Sequence, residues 1–536
     1  MHTYADLLLL ADAAEIVIDQ HGGIPAAVPH ASADDTTGST AAAAGGPNGP
    51  GVGPVAAEAD DDPHRLARVN LERYATRTDG RTLAFWRDEW YVWKKNAYRK
   101  ISKDELRAKL SRTIKEEFDR LSAEQQTAAD AVGRDGDTPA TSHKVSMALV
   151  SNVIQATSGM VCVSGDIEPG TWLPTKTQHH YTSMSNGLLD VAAIMADRDD
   201  YIQPNTPQWF SLVSLPYAFD PEAKCPQWEA FLEHNLEMDP ERIKLVQEWA
   251  GYLLSSSTDE QKFMVLEGEG KNGKSVFIAG ITAILGLDNV SNVALENFGD
   301  RFQLTTTIGK LLNAAGDCGE LDKTAEGLIK SFVSGDRMYF DRKGLTGFCS
   351  IPTARLMVAC NNRPRFSDRS DGIWRRMLVV PWNVAIEAAR RKKGMDKVTW
   401  WEQTGELPGM FLWALRGLAR LQAQGDFTVS AVMQASLEEY KEEMNPARSF
   451  LQNNMEENTS GLVQSATVFR IYKKWAEENG YRPLSERPFG KEIGRIFRQV
   501  VRVKRGPRED RQWAYEGIQF TQDQMCGEKT NEATLF

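Results

Sequence analysis

Gly268-Glu269-Gly270-Lys271-Asn272-Gly273-Lys274-Ser275 fits the pattern G-x-x-x-x-G-K-[ST], a phosphate-binding loop. At average glycine usage the pattern arises by chance on the order of 0.02 times in a chain this long. The flanks narrow it further. An apolar run, Phe263 to Leu266, reads as a strand before the loop, and Val276 to Leu285 reads as a helix after it, ending at Gly286. Successive backbone N–H groups and the positive helix end form a cradle for phosphates. Lys274 can reach the outer phosphates, and the Ser275 hydroxyl can ligate magnesium. Gly268 to Val276 are therefore the candidate nucleotide-binding residues, with ATP and Mg2+ as the expected ligands.

Working outward, a second buried strand, Leu311 to Ala315, leads to Asp317, a carboxylate placed to hold the magnesium shell. The next residue is Cys318, so Glu320 is the candidate base for the attacking water. A third strand, Arg355 to Cys360, ends at Asn361, an amide suited to orient that water. Arg375 and Arg376 precede a fourth strand, Met377 to Val380. Paired arginines there serve either as a helix-end salt bridge or, in an oligomeric ATPase, as a finger reaching the neighbour's phosphate.

The 536 residues, 41% hydrophobic and 25% charged, are ordinary for a chain of several soluble domains. The net charge of -11 is not spread evenly: residues 1 to 62 hold ten acids and no Lys or Arg, leaving 63 acids against 62 bases elsewhere. The rest of the chain is thus near neutral, and a nucleic-acid partner is not excluded. Six cysteines without a C-x-x-C pair fit a reducing cytoplasm rather than a disulfide framework or a zinc ribbon. All eight histidines lie at or before His234, so no histidine metal site belongs with the phosphate loop. Met1 to Ala13 lacks the basic start of a signal peptide, and no uncharged apolar run reaches the roughly 18 residues of a membrane span, which points to a cytoplasmic protein without a membrane partner.

The expected organisation is an α/β multidomain chain. It begins with a helical tail (1–30) and an Ala/Gly/Pro-rich disordered linker (31–64), followed by an α+β domain (65–236) and a connecting helix (237–256). Then come a P-loop ATPase core (257–385), a helical segment (386–446), a winged helix (447–522) and a tail (523–536). Thr82 to Ile101, with Trp86, Trp90, Trp93 and turn candidates at Asp88 and Asn96, predicts an antiparallel meander; core packing is favoured over base stacking for its aromatics. Asp197-Arg198-Asp199 reads as a solvated loop, and the adjacent His179 and His180 lack metal-ligand spacing.

Near the C-terminus, Ser465 to Asn479 and Ser485 to Val500 read as helices, and Val501 to Lys504 with Gln512 to Ile518 as a hairpin. Arg487, Lys491, Arg495, Arg498 and Arg502 step by three or four residues and form one stripe on the second helix. Residues 487 to 511 hold nine bases against three acids. Either this is a solvated basic face or, the favoured reading, it docks DNA phosphates.

The set G-E-G-K-N-G-K-S, L-L-N-A-A-G-D, L-I-K-S-F-V-S-G-D, D-R-K-G, A-C-N-N-R-P and W-R-R-M-L-V-V-P-W, within 109 residues from Gly268 to Arg376, resembles the superfamily 3 helicases. The match is to the helicase half of phage and plasmid primase-helicases related to the poxvirus type, and it extends over roughly residues 65 to 520. The resemblance implies an AAA+-like core working as a hexameric ring on DNA, with the following roles. Lys274 and Ser275 serve nucleotide and metal, Asp317 is Walker B, Asn361 is sensor 1, and Arg376, with Arg375, is the finger in trans. It further implies that Lys330 to Lys343 builds a channel hairpin, with Lys330, Arg342 and Lys343 toward DNA. The expected function is an ATP-dependent helicase replicating a phage, plasmid or integrated element, any primase being a separate partner. The alternative is an ATP-regulated DNA-binding initiator without processive unwinding.

Overall fold

In the computed structural model, residues 58–131, 142–255, 257–316, 321–366, 371–387, 391–507 and 511–521 are described. The N-terminal tail, most of the linker and the C-terminal tail predicted above lie outside them, as do Asp317 and Glu320. Among the described residues no helix is long and apolar enough to cross a membrane.

The described residues divide into two compact units, one from 58–92, 100–164 and 194–199, the other from 93–99, 165–193 and 200–521. In the first, helix α1 (Pro63–Tyr74) starts where Asp62 accepts the backbone N–H groups of His64 and Arg65 at 2.8 and 2.9 Å, with Pro63 at the first helical position. Strands β1 (Leu83–Trp86) and β2 (Glu89–Lys94) pair antiparallel through a two-residue turn, Arg87-Asp88, in which both residues have positive φ. Trp86 and Trp90 are buried, in accord with the core reading of this aromatic cluster. Helices α2 (Lys103–Ala131) and α3 (Met147–Met160) complete this core, in which Glu117 on α2 is bonded by Arg65, Arg73 and Arg120.

The second unit is organised by a five-stranded parallel sheet. Its strands are β3 (Phe263–Glu267), β4 (Val290–Ser291), β5 (Leu312–Ala315), β6 (Arg355–Cys360) and β7 (Met377–Pro381), in spatial order β4-β5-β6-β3-β7. The nearly unbroken apolar runs of β3, β6 and β7 are what a parallel sheet covered on both faces requires. Val265 of β3 lies between Val358 of β6 and Val379 of β7, so the strand feeding the glycine-rich loop is interior to the sheet. The short edge strand β4 has no clear sequence signal, being only two residues long.

Helix α4 (Pro226–Asn235), expected in the N-terminal domain, packs instead on the helix that follows the loop, α5 (Lys274–Leu285). Trp228 is fully buried, stacked on Phe277 with centroids 5.7 Å apart and edge-on to Trp413. The predicted connecting helix, α6 (Pro240–Leu254), is likewise a core element rather than a connector. It lies so close to α7 (Leu407–Gln424) that a Cβ on Gly251 would come within 2.4 Å of Ala414 O, and one on Gly417 within 2.2 Å of Gln247 O. The lack of a side chain at those two positions is what lets the helix backbones touch. The expected boundary near residue 236 therefore does not separate two bodies, because the aromatic side chains on either side of it share one core.

Helices α8 (Ala431–Met444), α9 (Pro446–Asn454), α10 (Ser465–Glu478) and α11 (Glu486–Ile496) follow. The last two join an antiparallel sheet of β8 (Met455–Gln464), β9 (Val501–Arg505) and β10 (Gln512–Phe520), with β10 in the middle. Their core is Phe450, Val468, Tyr472, Phe489, Ile493 and Ile518. α10 and the β9–β10 hairpin lie where the periodicity predicts them, but α11 ends at Ile496, short of the expected Val500, so Arg498 and Arg502 are not on it; β8 has no sequence signal, since its Glu-, Asn- and Gly-containing sequence lacks alternation.

Candidate nucleotide site and basic surfaces

The loop Gly268–Gly273 emerges at the carboxyl end of β3, and Lys274 opens α5. Gly273 sits at φ +91°, and a Cβ there would lie 2.7 Å from Asn235 Oδ1, so glycine is demanded by both conformation and space. The loop is strapped to the chain beyond β7. Asn272, buried, donates Nδ2–H to Trp382 O at 2.6 Å; Trp382 donates its N–H to Glu267 O at 2.6 Å; Ile386 donates to Lys271 O at 3.2 Å. Asn272, an unconstrained position of the motif, is thus a positioning residue that the pattern alone does not reveal.

Lys274 is 7% exposed, and its ammonium donates to Gly268 O, to Glu269 O at 3.4 Å and to Asn361 Oδ1 at 3.2 Å. Asn361 comes from the carboxyl end of the adjacent strand β6, so the structure brings together two candidates separated by 87 positions. Ser275 is exposed beside them. The cavity over the loop holds about 840 Å³ and is lined on one side by Phe231, His234 and Asn235 of α4, and on the other by Ile386, Arg391 and Met395. Neither wall carries a sequence motif. Behind the loop, Glu267 accepts from Arg363 at 2.6 Å and from Ser436 at 2.9 Å, while Arg363 also bonds Glu439 and Glu443 of α8. Burial opposes the Arg363 charge, but the hydrogen bonds to Glu439 and Glu267 outweigh it and raise the guanidinium above its ordinary value.

Arg375 and Arg376 occupy the opposite end of the sheet, where Phe263 at the start of β3 donates to Arg376 O at 2.8 Å. Five strand residues put about 13 Å between that end and the loop. Arg376 is bonded to Ser334 Oγ at 2.7 and 3.0 Å and to Gly372 O at 2.5 Å, while Arg375 is exposed. Burial, with the neighbouring Arg375 charge, lowers the Arg376 pKa.

The hairpin expected over Lys330–Lys343 lies further along. Lys330 is on a helix, Lys323–Ser334, and the hairpin strands are Met338–Arg342 and Leu345–Ser350. The helix persists to Ser334 because its apolar residues Ile329, Phe332 and Val333 are buried in the core, and Gly335 in the left-handed region ends it. Arg342 does not project: it is 7% exposed, donates Nε–H to Thr346 O at 3.0 Å and lies 4.9 Å over the Phe348 ring. Lys343 is the exposed cation of the tip.

In the C-terminal domain Arg487, Lys491, Arg495, Arg498 and Arg502 are all exposed. Arg487, Lys491 and Arg495 lie on α11, and Arg498 and Arg502 follow it. Arg495 pairs with Glu492 at 3.1 Å, and Arg502 lies 3.8 Å from Glu486.

Residues 266–376, the span containing the loop, Asn361 and the arginine pair, match a Family of unknown function (DUF5906), and residues 442–525 match the family Poxvirus D5 protein-like. Over 249 residues the chain is 23% identical to "Putative helicase L207/L206" of Acanthamoeba polyphaga mimivirus. The chain is thus similar to a poxvirus D5-like family over its C-terminal part and to a putative viral helicase. The aligned part is 42% of this chain and spans 26% of that relative's length, about a quarter of it. Among solved structures, the apo NrS-1 C terminal region superposes with a TM-score of 0.42 at 12% identity, covering 85% of this chain and 100% of the solved chain; another apo structure of that region, residues 305–718, gives 0.41 at 13% identity.

Proposed function

We propose that this chain is an ATP hydrolase that drives a DNA helicase, acting as a ring of identical subunits in the replication of a phage, plasmid or integrated element. The observation that carries the reading is the meeting of Lys274 and Asn361, at the carboxyl ends of adjacent parallel strands and facing an 840 Å³ cavity. Ligands of open parallel sheets bind at those ends. On this reading the sheet is an AAA+-like P-loop core and residues 447–522 a winged helix.

The fit of a nucleotide rests on the loop itself. Its glycines carry no side chain over the loop ahead of α5, and the positive end of that helix favours phosphate oxygens. The Lys274 ammonium, now satisfied by two loop carbonyls and Asn361, has the reach and charge to exchange them for outer phosphate oxygens. The exposed Ser275 hydroxyl, with Asp317 by sequence, would hold magnesium, which when bound neutralises charge developing on the phosphates. Asn361 orients the lytic water, and Glu320 remains the candidate base.

The amino-end position of the arginine pair supports a finger acting in trans, since neither side chain spans the sheet to its own loop. Arg375, exposed, is better placed for that role than Arg376, which braces the end of the Lys323–Ser334 helix. Lys343 at the hairpin tip and the stripe on and after α11 are the proposed DNA contacts.

Turnover of ATP by the purified chain, with and without single-stranded DNA, and displacement of a strand from a forked duplex test the proposal. DNA-stimulated hydrolysis together with displacement is expected. Hydrolysis with no displacement under any DNA condition would replace the motor with an ATP-regulated initiator.

A further inference from the structure

The chain has fourteen tryptophans, all among the described residues, and thirteen are buried or half-buried; Trp513 alone is exposed, at 44%. It stands on β10 in the β9–β10 hairpin. Lys504 faces it directly across the ladder, and Arg502 lies diagonally on the same face. Lys504 Nζ is 5.1 Å and the Arg502 guanidinium 4.8 Å from the indole centroid. Ala514 and Ile518, on the same strand, are fully buried and anchor it, so the ring is carried on a fixed support. The exposed cations Arg487, Lys491, Arg495 and Arg498 belong to the same domain, and Glu486 at the start of α11 reaches Arg502 at 3.8 Å. A large aromatic presented to water between two cations on a basic surface is the combination that binds an unpaired nucleobase, the ring stacking on the base and the cations meeting its phosphates.

We propose that Trp513, with Arg502 and Lys504, is a stacking site for an unpaired DNA base next to a duplex end, so that this domain reads the junction of a fork rather than duplex sequence. In continuous duplex both faces of each base are covered by its neighbours, so the indole finds a partner only where stacking is interrupted. The proposal rests on the reading of residues 447–522 as a DNA-binding domain and adds the residue and the form of DNA.

The experiment measures affinity of the full chain, without ATP, for three labelled probes: a blunt duplex, a fork of the same duplex, and that fork with abasic sites replacing the first four bases of each arm. Trp513→Ala is expected to weaken fork binding roughly five- to one-hundred-and-fifty-fold, the range for one stacked base, and to leave duplex binding within about twofold. Trp513→Phe should recover most of the loss, and on the abasic fork wild type and Trp513→Ala should bind alike. Equal losses on duplex and fork, or no loss on either, would overturn the stacking site and leave Trp513 a brace of its hairpin; an unchanged melting temperature excludes unfolding as the cause. Arg487→Ala/Lys491→Ala tests the underlying reading separately: if it leaves every probe bound as before, the domain does not dock DNA at all.

Discussion

The carboxyl end of the parallel sheet and the C-terminal basic domain both present cations, but they are built in opposite ways. At the sheet, Lys274 and Asn272 are more than nine-tenths buried, and their side chains are bonded to the loop itself and to residues just past the strands beside it. In the basic domain the cations are exposed, and the ion pairs of Arg495 and Arg502 are with near neighbours. The first arrangement is geometric: it fixes donors against atoms whose positions matter to a fraction of an ångström. The second is electrostatic, and its strength depends on the number of charges and on salt. Substitutions should therefore act as switches in one region and as gradual dials in the other.

The strongest way to break the contrast is Lys274→Ala, expected to abolish measurable ATP turnover in a coupled phosphate-release assay; full turnover in that variant would remove the phosphate-loop mechanism. Next in size, Arg375→Ala is expected to lower kcat by about 10³-fold or more while ATP binding, followed by a fluorescent analogue, persists. Mixing it with the Lys274→Ala chain should restore part of the activity, because each supplies what the other lacks at a shared boundary; a mixture as inactive as its components would place the arginine outside the site. Asn272→Ala removes the strap to Trp382 O and should cost about 1–3 kcal/mol in denaturant unfolding, because it leaves a buried carbonyl unpaired. In the basic domain, removal of a single charge by Lys491→Ala should only reduce the slope of log K against log salt by about 1, the same for all DNA sequences. A loss confined to one sequence would show base reading and sharpen the contrast in another direction.

Much of the candidate site is legible in the chain because the loop, its strand and its helix are consecutive, and their signals are local: glycine conformations, a period-free apolar strand and a helical run closed by Gly286. Asn361 is legible for a similar reason, since it directly follows a recognisable strand. The cavity walls are not. Phe231 and Asn235 look like any helical core residues, and Ile386, Arg391 and Met395 follow no pattern; both walls become part of the site only through Trp228 packing on Phe277 and Ile386 bonding Lys271. Arg342 shows the reverse error, a cation beside a turn that reads as exposed until the Thr346 carbonyl and the Phe348 ring are seen to hold it.

From sequence alone came the glycine-rich loop with its flanking strand and helix, the basic residues of α11 and the resemblance to the superfamily 3 helicases. Each depends on residues within a few turns of one another, where backbone preference and hydrophobic period act directly. Only the tertiary structure put the arginine pair at the far end of the sheet from the loop, buried Arg342 while leaving Lys343 outside, and left Trp513 as the single exposed tryptophan. Those outcomes depend on which distant segments share a core, and burial is a property of the packed chain that no short stretch of it carries.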